Sequence, residues 1–193
     1  MNSETALDYR RMRLFVAIPL AVTVVEELAA IRRRLQSGGD GLRWTAAESW
    51  HITLQFLGNT GQEQCASVVD RLRGVRSAPV EIVLEGLDCF DRAGVFFAGV
   101  RLTPELVLLQ QRVTAATEPC GFVREERRFQ PHITLARSKG GGKRNELSLL
   151  KTKLHEQPRF TRFVAEDFIL YESFLGTGSP RHEIRERFSL RMG

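Results

Sequence analysis

The tetrapeptide His-Ile-Thr-Leu occurs twice, at His51–Leu54 and at His132–Leu135, 81 residues apart. The same shift carries Phe15 onto Phe96, Ala17 onto Ala98, Leu28 onto Leu109, Val68 onto Leu149, Val69 onto Leu150 and Val83 onto Val164. One offset that aligns apolar positions over most of a chain is the mark of a repeated unit. The repeat covers residues 13–91 and 94–172, within one bilobal domain over 11–193. A strand over 182–190 has no counterpart at the offset, and residues 1–10 read as a loose tail.

Each unit reads strand, helix, strand, helix, strand. Leu14–Ile18, closed by Pro19, and Val95–Val100 are short apolar runs of the kind that form buried strands. In the first following helix, Leu20, Val24, Leu28, Ile31 and Leu35 form one stripe, Thr23 and Glu26 have capping-box spacing, and Gly38-Gly39 supplies a stop. In the second, Thr103-Pro104 gives an N-cap followed by proline at the first helical position. Further helices are expected over 60–73, with Thr60 and Glu63 as a capping box, and over 143–155. Long strands follow over 80–90 and 160–171. Residues 138–143, rich in glycine, read as a mobile loop. Helices alternating with tightly connected strands predict an α+β fold, with two antiparallel sheets about a pseudo-twofold axis, helices outside and a cleft between the lobes.

Side chains alternate along a strand, so His51 and Thr53 share one face while Ile52 and Leu54 share the other. His132 and Thr134 repeat the arrangement. The apolar pair of each copy belongs to the core, and the polar pairs can converge on one cleft. A half-buried histidine is ordinarily a satisfied polar residue, but a core role requires neither His nor Thr at two matching positions. Two imidazoles and two hydroxyls suit phosphodiester cleavage, which needs a base to activate water and an acid to protonate the departing oxygen. Threonine hydroxyls can donate to nonbridging phosphate oxygens. Arg137, an odd three residues beyond Thr134, is placed just past the strand, within reach of a phosphate. Trp50, Phe56 and Phe129 flank the histidines and are candidates to stack a nucleobase, with core packing as the competing role.

Other classes fit poorly. Zinc asks for three or four protein ligands, and no Asp, Glu or Cys stands at short spacing to either motif: Glu48 maps by the offset onto Phe129. No metal and no cofactor is therefore expected. Cys65, Cys89 and Cys120 are odd in number and lack CxxC spacing, which reads as reduced thiols in a cytoplasm. Arg10–Arg13 before the apolar run mimics a secretory signal, but Pro19 divides that run and Glu26-Glu27 end it too early for a membrane span. Gly140–Lys143 lacks the spacing of a phosphate loop, and no G-x-S-x-G elbow is present. A net charge of +5, with Arg124, Arg127, Arg128, Arg137, Lys139, Lys143 and Arg144 around the second motif, favours an anionic partner, although such a run is usually a solvated surface. His155 and His182 have no equivalent in the other unit and receive no chemistry.

The segments Arg13–Pro19, Trp50–Gly58 and Phe129–Arg137, with Leu170–Ser173, resemble the bacterial RNA 2′,3′-cyclic phosphodiesterases, also called 2′-5′ RNA ligases, of the two-histidine phosphoesterase superfamily. The resemblance spans roughly residues 13–190. It implies a cofactor-free enzyme that hydrolyses RNA 2′,3′-cyclic phosphate ends to 2′-phosphates, with reverse ligation as a secondary activity; a monomer is expected. It also implies His51 as proton donor, His132 as proton acceptor, and Thr53, Thr134 and Arg137 as the phosphate-binding set. The residues alone leave open a noncatalytic RNA-end or nucleotide-binding module, or the same chemistry on 2′-5′ oligonucleotides or small cyclic nucleotides.

Overall fold

β-Branched and aromatic runs broken by glycine and proline form the strands here, and amphipathic stretches between them form the helices. The computed structural model describes residues 11–139, 144–153, 156–174 and 180–191. In chain order the elements are β1 (Met12–Pro19), α1 (Val22–Leu35), β2 (Leu42–Trp44), β3 (His51–Thr60), α2 (Gln62–Arg73), β4 (Val80–Ile82), β5 (Leu84–Phe90), β6 (Val95–Val100), α3 (Pro104–Thr117), β7 (His132–Ser138), α4 (Arg144–Lys153), β8 (Phe163–Ala165), β9 (Asp167–Phe174) and β10 (Arg181–Ser189), with 3₁₀ turns at Ala47–Ser49 and Glu118–Cys120. The tail over 1–10, most of the glycine-rich loop and His155 lie outside the described residues.

Two four-stranded antiparallel sheets carry the motifs, one ordered β10-β9-β1-β3 and the other β2-β7-β6-β5, while β4 and β8 pair separately. Neither sheet is built from one half of the chain. β9 pairs with β1 in the sheet of β3, and β5 pairs with β6 in the sheet of β7, so the closing strand of each segment joins the opposite sheet. The expected long strands are each divided in two, after Ile82 and after Ala165, and those breaks let one run serve both a motif sheet and the small β4–β8 pair. β2, too short to stand out by periodicity, hydrogen-bonds β7 from the far half of the sequence. The first strands also correspond one residue out of step with the motifs: Ala17 faces Thr53, whereas Phe97, not Ala98, faces Thr134.

The apolar partners in both motifs are core residues, with Ile52, Ile133 and Leu135 fully buried. Truncating such an isoleucine to alanine costs about 2–5 kcal/mol, so the motif strands are fixed by packing as well as by hydrogen bonds. Val24, Leu28, Ile31 and Leu35 bury the inner face of α1, and Leu106, Leu109 and Val113 that of α3, as the stripes predict. Thr103 caps α3 by accepting from the Leu106 amide at 3.2 Å, with Pro104 at the first turn. The two capping boxes do not form. Thr23 lies inside α1, whose first flanking residue is Ala21, and Thr60 stays in β3 with its hydroxyl donating to the Gly58 carbonyl. A three-residue spacing is satisfied by chance wherever threonine and glutamate are common, so it marks a helix start only weakly.

Candidate active site

The side chains of His51, Thr53, His132, Thr134, Arg137 and Phe56 line one cavity of about 470 Å³ between the two motif sheets. Alternation along β3 and β7 brings each His and Thr there, but alternation alone would turn Phe56 and Arg137 away. A β-bulge in each strand resolves this. Val16 and Ala17 face Gln55 and Thr53, leaving Leu54 unpaired, and Phe96 and Phe97 face Ala136 and Thr134, leaving Leu135 unpaired. The phase flips after each bulge, so Phe56 and Arg137 return to the cleft face while Gln55 points away and accepts from the Thr117 hydroxyl at 2.8 Å. Arg137 thus lies within β7 rather than past its end. In β3 a second irregularity follows at Leu57, and Gly58 adopts φ +72°, a left-handed conformation that glycine takes without strain.

Both imidazoles are held in the same way. His51 Nδ1 lies 2.8 Å from the Ser49 carbonyl, and His132 Nδ1 lies 2.8 Å from the Gln130 carbonyl, each two residues upstream. A carbonyl only accepts, so each Nδ1 carries a proton and each Nε2 is left for the cleft. Ser49 is itself buried, its hydroxyl donating to the Pro180 carbonyl at 2.9 Å. The His51 ring packs on Phe15, with centroids 4.6 Å apart, and Phe15 stacks on Tyr171 at 5.2 Å. The His132 ring packs edge-to-face with Phe90 and Phe97, centroids 5.0 and 5.5 Å apart.

This apolar packing disfavours charge on both rings. Burial first, then the neighbouring His182, lowers the His51 pKa to about 4, against a smaller upward pull from the Ser49 carbonyl. Burial, with Arg137 adding repulsion, lowers that of His132 as well, opposed by its bond to Gln130. Without a ligand both imidazoles are neutral at neutral pH. An anion held in the cleft would supply the negative charge that favours protonation of one of them.

Not every sequence candidate reaches the cleft. Trp50 is 5% exposed and packs in the core, because the residue before His51 on an alternating strand faces the opposite side. Phe129, three residues before β7, lines a separate cavity of about 880 Å³ with Arg128 and Gln130. Phe56 alone of the three aromatics stands in the cleft, 66% exposed. Conversely, His182 on β10, which the repeat offers no reason to notice, lines the cavity with its ring roughly perpendicular to that of His51, centroids 5.2 Å apart. Arg13 and Arg43 line it too. Strand parity beside a known neighbour would have flagged His182 only once β10 was known to lie beside β9. Among the described residues no group of three or more His, Cys, Asp or Glu side chains is arranged to hold a metal ion, and no helix is long and apolar enough to cross a membrane.

A bilobal sheet pair with an HxT motif on each side of one cleft defines a class, and the chain belongs to the 2′-5′ RNA ligase superfamily, whose family model matches residues 23–172. It is 33% identical over 172 residues to a protein of Archaeoglobus fulgidus named RNA 2′,3′-cyclic phosphodiesterase, a match covering 88% of this chain and 95% of that one. Among solved structures it resembles Escherichia coli LigT complexed with 3′-AMP, with a TM-score of 0.79, 25% identity and coverage of 94% of this chain and 99% of that one. A Thermus thermophilus structure matches with a TM-score of 0.76 and 26% identity, over 94% and 99% of the two chains.

Proposed function

We propose that this protein hydrolyses RNA 2′,3′-cyclic phosphate ends to 2′-phosphate ends by metal-independent acid–base catalysis, with 2′-5′ ligation as a secondary activity in which a 5′-hydroxyl takes the place of water. The observation that carries the reading is the pair of imidazoles, each anchored through Nδ1 to a carbonyl and lining the same cavity. In the forward direction water attacks phosphorus and the bond to O3′ breaks. His132 Nε2 takes the proton from water, and protonated His51 gives one to O3′, leaving the 2′-phosphate and a free 3′-hydroxyl. Thr53, Thr134 and Arg137 donate to the nonbridging oxygens, where charge concentrates in the transition state. The names of the relatives support the substrate, and the ligand of E. coli LigT, a nucleotide with its phosphate on the 3′ oxygen, supports the scale of the site.

Which histidine gives the proton is separable from whether both act. Because burial holds His51 low, its role as donor requires that the bound phosphate raise its pKa, so the optimum for kcat should lie at higher pH than the optimum for kcat/KM. The test of the whole reading is a short RNA ending in a 2′,3′-cyclic phosphate, incubated with enzyme in excess EDTA and resolved by chromatography and mass. A 2′-phosphate product is expected. A 3′-phosphate product, no product, or a strict need for added divalent metal would overturn it.

A further inference from the structure

Arg43 on β2 and Arg137 on β7 are direct partners across antiparallel strands, so both side chains rise from the same face, into the cleft. Like charges placed directly opposite on a sheet repel. Their effect registers on Arg137, whose guanidinium is held below its ordinary pKa first by burial and then by Arg43. Elsewhere on this protein arginines such as Arg73, Arg101, Arg162 and Arg187 hold carboxylates. Around the cleft they do not: among the described residues neither Arg43, Arg137 nor Arg13 across the cavity has a hydrogen-bonding or ion-pairing partner. The repulsion is therefore not offset within the described fold, and the arrangement calls for an anion from outside.

One phosphate does not account for three guanidiniums. On the phosphodiesterase reading the HxT residues and Arg137 hold the scissile group, whereas β2 sits at the sheet edge beyond β7, so Arg43 stands on the outer side of Arg137. Arg43, directly opposite Arg137, is three residues along the sheet from Thr134, roughly 7–10 Å at about 3.3 Å per residue less the bulge. A sugar and the phosphodiester on its 5′ side span a step of that kind.

We propose that Arg43, assisted by Arg13, forms a second anion subsite that holds the phosphate on the 5′ side of the terminal nucleotide, so that the substrate class is a cyclic phosphate end bearing a second phosphate. The inference rests on the phosphodiesterase reading for the identity of the first phosphate. A phosphate-rich strand gains affinity from each such contact, and salt weakens it.

Binding separates the two claims because it needs no turnover. Calorimetry would compare a nucleoside 3′-monophosphate with the corresponding 3′,5′-bisphosphate on the whole protein. The wild type should bind the bisphosphate roughly ten-fold or more tightly, the effect of one charge-assisted contact, and the gap should narrow as salt rises. Arg43→Met should remove most of the gap while weakening the monophosphate by about three-fold or less, and Arg13→Met should remove a smaller part. Equal affinity for the two ligands in the wild type, or equal losses for both in Arg43→Met, would overturn the subsite. In parallel, a dinucleotide and a mononucleoside, each ending in a 2′,3′-cyclic phosphate, should differ in kcat/KM in the same sense. Turnover of neither, with the binding gap intact, would defeat the hydrolase reading and leave the subsite standing.

Discussion

The sheet that carries His51 and the sheet that carries His132 share their scaffold and differ in what surrounds it. Each motif strand has a bulge one residue past its threonine, and each histidine is tied through Nδ1 to a carbonyl two residues upstream. The residue that the bulge returns to the cleft is Phe56 on one side and Arg137 on the other. The first sheet surrounds its histidine with Phe15, Tyr171 and His182, and the second sets Arg137 and Arg43 along its own. Backbone correspondence thus fixes where the two histidines stand, while the side chain returned by each bulge differs, an exposed aromatic on one side and a guanidinium paired with Arg43 on the other.

The comparison can be broken most directly at the imidazoles. His51→Ala and His132→Ala should each lower kcat by roughly a hundredfold or more, and a p-nitrophenyl phosphodiester, whose leaving group needs no proton, should recover activity in the donor variant alone. Recovery in His132→Ala instead of His51→Ala would exchange the two roles, and full activity in either variant would dissolve the pair. Next in size are the residues after the bulges. Arg137→Met should lower kcat/KM by roughly ten- to a hundredfold, as expected for a lost charged hydrogen bond, whereas Phe56→Ala should raise KM by about five- to tenfold with kcat little changed, as expected for lost stacking. Similar kcat losses in both would show that the halves are not divided as drawn.

A smaller effect concerns stability. His51 has a folded pKa of about 4 against an ordinary 6.5, so between those values the unfolded chain binds more protons and stability rises with pH. That contribution is complete above about pH 6.5 and is lost as pH falls toward 4. His51→Gln should flatten the decline, measured as denaturant midpoints at pH 4.5 and 7, by up to roughly 3 kcal/mol. Smallest is His182→Asn, which removes the neighbour whose charge opposes that of His51 and should move the His51 ring resonances to titrate at higher pH. An unmoved titration would mean the two rings do not communicate.

Much of this fold was legible because the repeated tetrapeptide joins period-two alternation to burial: Ile52, Ile133 and Leu135 could be assigned to the core and the polar positions to a cleft from spacing alone. The bulges were not legible, since Leu54 and Leu135 look like ordinary strand residues and only pairing to β1 and β6 shows them skipped. Trp50, offered as a stacking candidate, lies one residue from His51, so strand parity places it on the core side instead. His182, Arg13 and Arg43 escaped for a different reason: they reach the cleft through β10, β1 and β2, and which strand borders which is set by long-range pairing that a linear pattern does not encode.

The exchange of closing strands also governs how the chain must be assembled. β1 and β3 are made early, yet the neighbour that covers β1 on its other side is β9, more than a hundred residues later. During synthesis β1 therefore presents an open edge, exposed to mispairing, until the β9–β10 hairpin has left the ribosome. Cutting the chain between its two halves would yield two incomplete sheets rather than two lobes.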